Sequence, residues 1–259
     1  MNPFGIESVP VFVLVLIRTG GLLLAAPVFG ASVVPVTARV AIAFALAFLF
    51  APLVGPASVP TGIAGFALAG AGELAIGLLI GFAASLLFAA VQLAGHLIDQ
   101  DLGISLAATL DPISNEQVSI VSQFKTALAV TVYLLINGHH FLVACTLESF
   151  RTVPVAGLAC PPAIPVTLVG DMAARLFAVA LGLAAPALAT LFLVTVAMAF
   201  LARTVPEMNL LTLGYPMRVL VGYAALAVGV GFFVHGFARL VAGHESSIRS
   251  VLPLLGGRP

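Results

Sequence analysis

Charge is scarce in this chain: ten Lys and Arg and ten Asp and Glu make up 8% of its 259 residues, and they sum to zero. Soluble domains carry about 25% charged residues and about 45–50% apolar ones. With 61% apolar residues here, so few charges cannot dress a water-facing surface. A large soluble globule, a disordered chain and a basic nucleic-acid binder are excluded, and no net field draws in an acidic partner. Cysteine is nearly absent; Cys145 and Cys160 lie too far apart for a CxxC motif and are too few for a disulfide framework. Tryptophan is missing and only three Tyr are present, which leaves a weak set of interfacial anchors. No P-loop, HExxH, G-x-S-x-G or paired CxxC occurs, so neither an enzyme nor a cofactor is expected. Gly103-Ile-Ser105 with distant His235 offers the outline of an intramembrane serine site, but one glycine and one serine are too common to carry it.

What the chain does have is long apolar runs. A helix needs about 20 mostly apolar residues to cross roughly 30 Å of hydrocarbon. Six blocks meet or approach that length: Val9–Phe29, Val40–Val54, Gly62–Gly95, Thr126–Cys145, Met172–Leu201 and Val219–Ala238. The alternation of a transmembrane β-barrel is missing, so the expected class is an all-α integral membrane protein. The second block is short for a crossing and the third and fifth are too long, so those two must tilt, protrude or fold into hairpins. Pro186 supplies a break point in the fifth. Six to eight helices are expected, in one membrane-embedded domain over residues 1–259 with a short polar tail from 243 to 259. The N-terminus has no positive segment before Arg18 and does not read as a secretory signal. Basic residues divide equally between the two sides if all six blocks span, which leaves orientation open.

Charges inside apolar blocks are costly in lipid and draw attention first. Arg18 is followed by Gly20 and Gly21; Glu73 is followed at i+4 and i+8 by Gly77 and Gly81. That spacing puts the carboxylate and both glycines on one helix face, and Gly77-x-x-x-Gly81 is a close-packing motif. The pair reads either as a proton or ion site or, more plainly, as a buried contact that fixes helix register. Asp171 and Arg175, at i and i+4, neutralise each other. Asn137-Gly138 before His139-His140 marks a turn or helix end. Asp99-Gln-Asp101 lacks the later carboxylate of a calcium loop and reads as a solvated loop start.

Three polar interruptions organise the rest: Gly95–Lys125, Arg151–Asp171 and Arg203–Arg218. In the last, Pro206, Asn209, Gly214 and Pro216 favour turns. Arg203-Thr-x-Pro206-x-Met208-Asn209, followed by Leu213-Gly214-Tyr215-Pro216, resembles the corresponding region of the FliR family, subunits of the flagellar type III export gate with injectisome relatives. The resemblance extends to Arg18-Thr-Gly20, Ala26-Pro27-Val-Phe29-Gly30, Pro35 and Arg39, then to Glu73, Gly77, Gly81 and Phe82. It continues through Gly103-Ile-Ser105-Leu-Ala-Ala-Thr-Leu-Asp111-Pro112, Asn137-Gly138-His139, Ser149-Phe150 and Ala185-Pro186.

The resemblance implies a hetero-oligomeric helical assembly with FliP-like and FliQ-like subunits in the bacterial inner membrane, at the flagellar basal body. FlhB-like and FlhA-like proteins would be its neighbours, unfolded flagellar proteins its cargo and membrane lipid its surroundings. It maps a pore-closing loop onto Gly103, Ser105, Leu106, Leu110, Asp111 and Pro112, and it assigns helix packing or assembly to Arg18, Glu73, Gly77, Gly81, Pro186, Arg203, Pro206, Asn209, Gly214 and Pro216. An apolar loop suits a gate, since hydrophobic constrictions close by dewetting. The competing readings are a virulence injectisome subunit and, from another class, a secondary transporter coupled through Glu73 and Arg18. Transporters usually carry internal repeats, and none is visible here.

Overall fold

The computed structural model describes residues 9–30, 34–55, 57–60, 62–103, 119–157, 166–204 and 210–255, without side-chain placement at 166–169, 210–213 and 244–255. Every regular element among them is helical: α1 Val9–Ala25, α2 Val36–Val54, α3 Ile63–Leu102, α4 Ile120–Leu135, α5 Gly138–Thr152, α6 Val166–Thr204 and α7 Leu210–Leu255. An all-α membrane class is therefore borne out, with seven helices among the described residues. Four stretches are long and apolar enough to cross a membrane, Val36–Val54, Ile63–Leu102, Gly170–Thr204 and Gly214–Gly243, and the α4–α5 pair supplies a fifth if its broken halves count as one span.

Several block boundaries move. The second block gains a helical turn at its start, because Pro35, extended at ψ 144°, launches α2 at Val36; the resulting 19 residues suffice for a crossing. Neither long block breaks. α3 runs 40 residues without interruption and α6 runs 39 with Pro186 inside it, lengths of about 60 Å each at the helical rise. Proline at an interior position removes one backbone bond, yet neighbouring groups can satisfy the carbonyls it frees, so the helix continues. Gly214 and Pro216, read as turn residues, lie inside α7, where the fixed φ of proline is compatible with the helix. The polar tail is not a separate segment either, since α7 continues to Leu255. The fourth block does break: Asn137 takes a left-handed conformation (φ 59°, ψ 31°) between α4 and α5. Asn is one of the few side chains that adopts it cheaply.

Two compact units partition the chain. The first comprises Met1–Leu86, Leu134–Gly170 and Val241–Pro259; the second comprises Leu87–Tyr133 and Asp171–Leu240. In the first, α1 packs along α2, and α2 meets α5. Its core joins Val11, Leu14 and Val15 to Ala47, Phe50, Ala69, Phe150 and Val155, with Phe50 and Phe150 edge to face at 6.3 Å. In the second, Phe88 meets Tyr133 and Phe237 edge to face, at 5.4 and 5.8 Å, while Val91, Ala94 and Ile98 of the same helix are buried.

Candidate functional site

Arg18 and Glu73 meet in the first unit. Both are buried, at 0% and 2% exposure, and Arg18 Nε–H donates to Glu73 Oε2 at 2.5 Å. The guanidinium fork continues past the carboxylate: Nη1 donates to Ser149 Oγ at 3.1 Å, and Nη2 to the Val153 carbonyl at 3.0 Å. The Phe150 ring lies under it, 4.1 Å from Cζ to the centroid, a distance at which the ring face attracts a cation. Glu73 is engaged on its other side too, because Oε1 accepts the Ala156 N–H at 3.0 Å. Ala156 itself is held at φ 58°, an uncommon conformation for alanine.

The cluster thus joins α1, α3 and the turn that follows α5. Planar geometry makes arginine suited to this: its five donors form a rigid fork, which a lysine cannot reproduce. Replacing either ion alone would leave its partner buried and uncompensated. Gly77 and Gly81 lie on the same face of α3 as Glu73 and admit the α1 backbone. A Cβ at Gly77 would collide with the Arg18 carbonyl and approach the Leu22 amide at 2.9 Å; one at Gly81 would reach the Leu22 carbonyl at 2.6 Å. Gly21 closes the same seam from the α1 side, 2.9 Å from the Leu74 carbonyl by the same construction. Gly20 faces open space.

The second unit holds its own buried polar groups, and the sequence pointed away from them. Asp99 is not a solvated loop start: it sits within α3 and is 5% exposed. Its carboxylate accepts the Ser119 hydroxyl and the N–H groups of Val121 (3.2 Å) and Ser122 (3.4 Å) at the start of α4. Asp101, two residues on, pairs with Arg218 of α7 at 2.5 Å. Gly103 ends α3 in the left-handed region at φ 79°, its N–H bonded to the Gln100 carbonyl at 3.1 Å. Lys125 is buried on α4 and donates to the Leu183 carbonyl at 3.3 Å, three residues before Pro186; its ammonium also lies 5.1 Å from the centre of the Phe233 ring.

Of the remaining expected residues, Arg203 is exposed in the last turn of α6, and Gly214 faces the Met198 methyl across α6. Asp171 and Arg175 are exposed on α6. Ser105, Leu106, Leu110, Asp111, Pro112, Pro206 and Asn209 lie outside the described residues. The rings of His139 and His140 lie 4.2 Å apart, tilted 52° to each other, and no group of three metal-ligating side chains occurs among the described residues. Asp99 was missed because its partners start a helix twenty residues away, and capping patterns in a sequence are local.

The arrangement has the features of a packed helical scaffold in which Arg18, Glu73, Asp99 and Lys125 are all engaged within the chain, and comparison with known proteins agrees. The family model of bacterial export proteins, family 1, matches residues 9–243. The chain belongs to that family. The flagellar biosynthetic protein FliR of Bacillus subtilis (strain 168) is 30% identical to it, over 97% of this chain and 98% of the relative. FliR of Escherichia coli (strain K12) is 29% identical over 82% and 81% respectively. The Yop proteins translocation protein T of Yersinia pestis is 28% identical over 60% of each chain. The resemblance traced from Arg18 to Pro216 is borne out by these matches. As a family 1 export protein, the chain is a multi-pass membrane protein, and its buried ion pair lies within the one chain.

Proposed function

We propose that this chain is a subunit of the flagellar type III export gate, acting as one membrane-embedded domain in the bacterial inner membrane at the flagellar basal body. With FliP-like and FliQ-like subunits it forms the channel for unfolded flagellar proteins, with FlhB-like and FlhA-like proteins alongside. The observation that carries the reading is the match to FliR of Bacillus subtilis along nearly the whole of both chains. The match to the translocation protein T covers 60% of each chain, against nearly the whole of both for FliR of Bacillus subtilis, and an injectisome subunit is the second reading. Gly103, Ser105, Leu106, Leu110, Asp111 and Pro112 form the loop that closes the pore, an apolar constriction that yields to a passing chain. Arg18, Glu73, Gly77 and Gly81 set the shape of the subunit that the assembly recognises, and Pro186, Arg203, Gly214 and Pro216 on α6 and α7, with Pro206 and Asn209 between them in sequence, serve packing against neighbours. A secondary transporter needs Glu73 or Arg18 free to bind an ion; both are occupied by in-chain partners, which weighs against it.

The test is mass spectrometry of what co-purifies with an affinity-tagged copy in mild detergent. Recovery of FliP-like and FliQ-like subunits is the expected result. A monomer or homodimer, with those partners expressed in the same cells, refutes the proposal. Recovery of virulence-system partners in their place moves the assignment to the injectisome.

A further inference from the structure

We propose that Lys125 is a socket for a carboxylate carried by a membrane helix of a neighbouring subunit, which docks between α4, α6 and α7. The inference deepens the gate reading above and rests on it. Lys125 is 6% exposed, yet its ammonium has three N–H donors and meets one acceptor, the Leu183 carbonyl at 3.3 Å. The Phe233 ring face at 5.1 Å eases the charge without neutralising it. The ion pairs among the described residues join Arg18 to Glu73 and Arg218 to Asp101; neither reaches Lys125. A buried cation without an anion costs its own fold stability, and a carboxylate supplied from outside the chain removes that cost.

A cleft opens at this ammonium, inside the second unit. Phe124, Leu128, Pro186, Gly229 and Phe232 are among the apolar groups that line it with Lys125. Its room, about 40 Å³, takes on the order of three water-sized groups. That matches a carboxylate, with one carbon and two oxygens, and is too small for a phosphodiester with four oxygens. Lipid phosphates are moreover held by clusters of basic residues, and Lys125 is the charged group in an otherwise apolar lining. The approach suits a helix. Ala225 and Gly229 line the cleft from α7 at i and i+4, a small-xxx-small spacing that admits a second backbone, and a Cβ on Gly229 would meet nothing within 4 Å. An 18-residue apolar stretch of α7 is only 11% buried in the chain, so this side of the helix is open to a partner.

The experiment uses the full tagged chain co-expressed with its export partners. Dicyclohexylcarbodiimide, which partitions into apolar sites, joins an amine to a contacting carboxylate as an amide and takes up the water released. In the parent complex it should link Lys125 to an Asp or Glu of a partner, located by mass spectrometry. Lys125→Met should leave membrane-inserted subunit within about twofold and cut recovered complex by at least about tenfold, because the partner's carboxylate is left buried and unpaired. Changing the linked partner carboxylate to an apolar side chain as well should restore recovery to within a few-fold; a lysine that supports only its own subunit's fold shows no such rescue. Gly229→Leu keeps the lysine and fills the cleft, so it should lose both the link and the complex, and it carries the comparison should Lys125→Met fail to accumulate. No link to a partner carboxylate, no rescue, or complex at the parent level in either variant refutes the socket. An anionic phospholipid bound to the parent and lost from Lys125→Met, with complex unchanged, assigns the cleft to lipid and refutes it too. If the parent recovers no partner subunits, the gate reading fails and this inference with it; if it recovers them and Lys125 stays unlinked, the inference alone fails.

Discussion

Exchanging Glu73 for glutamine alters one atom and one charge inside the Arg18 cluster. The carboxylate now presents an oxygen to Arg18 Nε–H at 2.5 Å and another to the Ala156 N–H at 3.0 Å. Whichever way the glutamine amide turns, its NH2 faces one of those donors, so one bond is lost and a repulsive contact replaces it. The guanidinium keeps Ser149 Oγ and the Val153 carbonyl but loses the carboxylate that balances its charge at 0% exposure. Removing one partner of a buried ion pair costs about 3–5 kcal/mol. Glutamine retains one acceptor, so Glu73→Gln should fall near the lower bound and Glu73→Ala near the upper, roughly two to four powers of ten in the folded-to-unfolded ratio.

The assay is a detergent-solubilised denaturation series followed by helical circular dichroism, with recovery of the assembled complex as a second readout. Arg18→Lys should lose nearly as much as Glu73→Gln, because one ammonium cannot reach the carboxylate, the hydroxyl and the carbonyl together. Arg18→Met combined with Glu73→Met should cost less than the sum of the single variants, by about 0.5–3 kcal/mol of coupling. A Glu73→Gln protein within about 0.5 kcal/mol of the parent, the range of an ordinary surface change, would refute the reasoning. So would normal assembly with export alone abolished, which is what an ion-coupling role predicts.

Gly77→Val should prevent α1 from seating on α3 and abolish accumulation of folded chain, whereas Gly20→Ala, with nothing within 4 Å of the added carbon, should be neutral or stabilising by up to about 1 kcal/mol; membrane-fraction yield and melting temperature distinguish them. At the α4–α5 break, Asn137→Gly should hold or raise the melting temperature, while Asn137→Val should lower stability by about 1–2 kcal/mol, since φ 59° crowds a β-branched side chain. Lys125→Arg should be tolerated and Lys125→Glu should not fold, because a carboxylate would face the Leu183 carbonyl and the Phe233 ring face where the ammonium now sits; equal recovery of both variants would contradict that assignment.

Hydropathy made the helical membrane class legible, and the i, i+4, i+8 spacing of Glu73, Gly77 and Gly81 put the right residues on one face of α3. Asn-Gly marked a turn or helix end at Asn137, but not its left-handed conformation or the break it makes in the block Thr126–Cys145. Other helix ends were not legible. Pro186, Gly214 and Pro216 read as breaks because local propensity is all a single sequence offers, while in an apolar surround the cost of leaving the helix exceeds that of one missing bond. The partners of Asp99 and Lys125 were hidden for a related reason: each side chain acts on another segment, twenty and fifty-eight residues away, and composition carries no trace of such a contact. Nor does hydropathy distinguish lipid from protein as the cover for an apolar helix. An 18-residue apolar stretch within Ile63–Leu102 is 56% buried in the chain and one within Gly214–Gly243 only 11%, yet both read as spans.

The buried charges share one property that ties the sequence's scarcity of charge to its fold. Arg18 serves the Val153 carbonyl and Glu73 the Ala156 N–H, in the turn after α5. Asp99 serves the opening amides of α4, and Lys125 the Leu183 carbonyl beside the proline in α6. The first three sit where the backbone leaves the regular helical ladder, and Lys125 acts one residue from the Gly182 carbonyl that Pro186 leaves without its N–H donor. Away from water, such backbone groups must be satisfied inside the protein, and an unsatisfied one costs several kcal/mol. A long-range ionic side chain meets that need well, because it reaches from a neighbouring helix and makes a bond about twice as strong as a neutral one. On this account the buried charges mark the places where the helices are interrupted, and their replacement should raise hydrogen exchange at residues 153–156, 119–123 and 183–187 before it alters exchange in the uninterrupted centre of α3. Uniform loss of protection along α3 in Arg18, Asp99 or Lys125 variants would mean instead that these ions hold whole helices together, not the breaks between them.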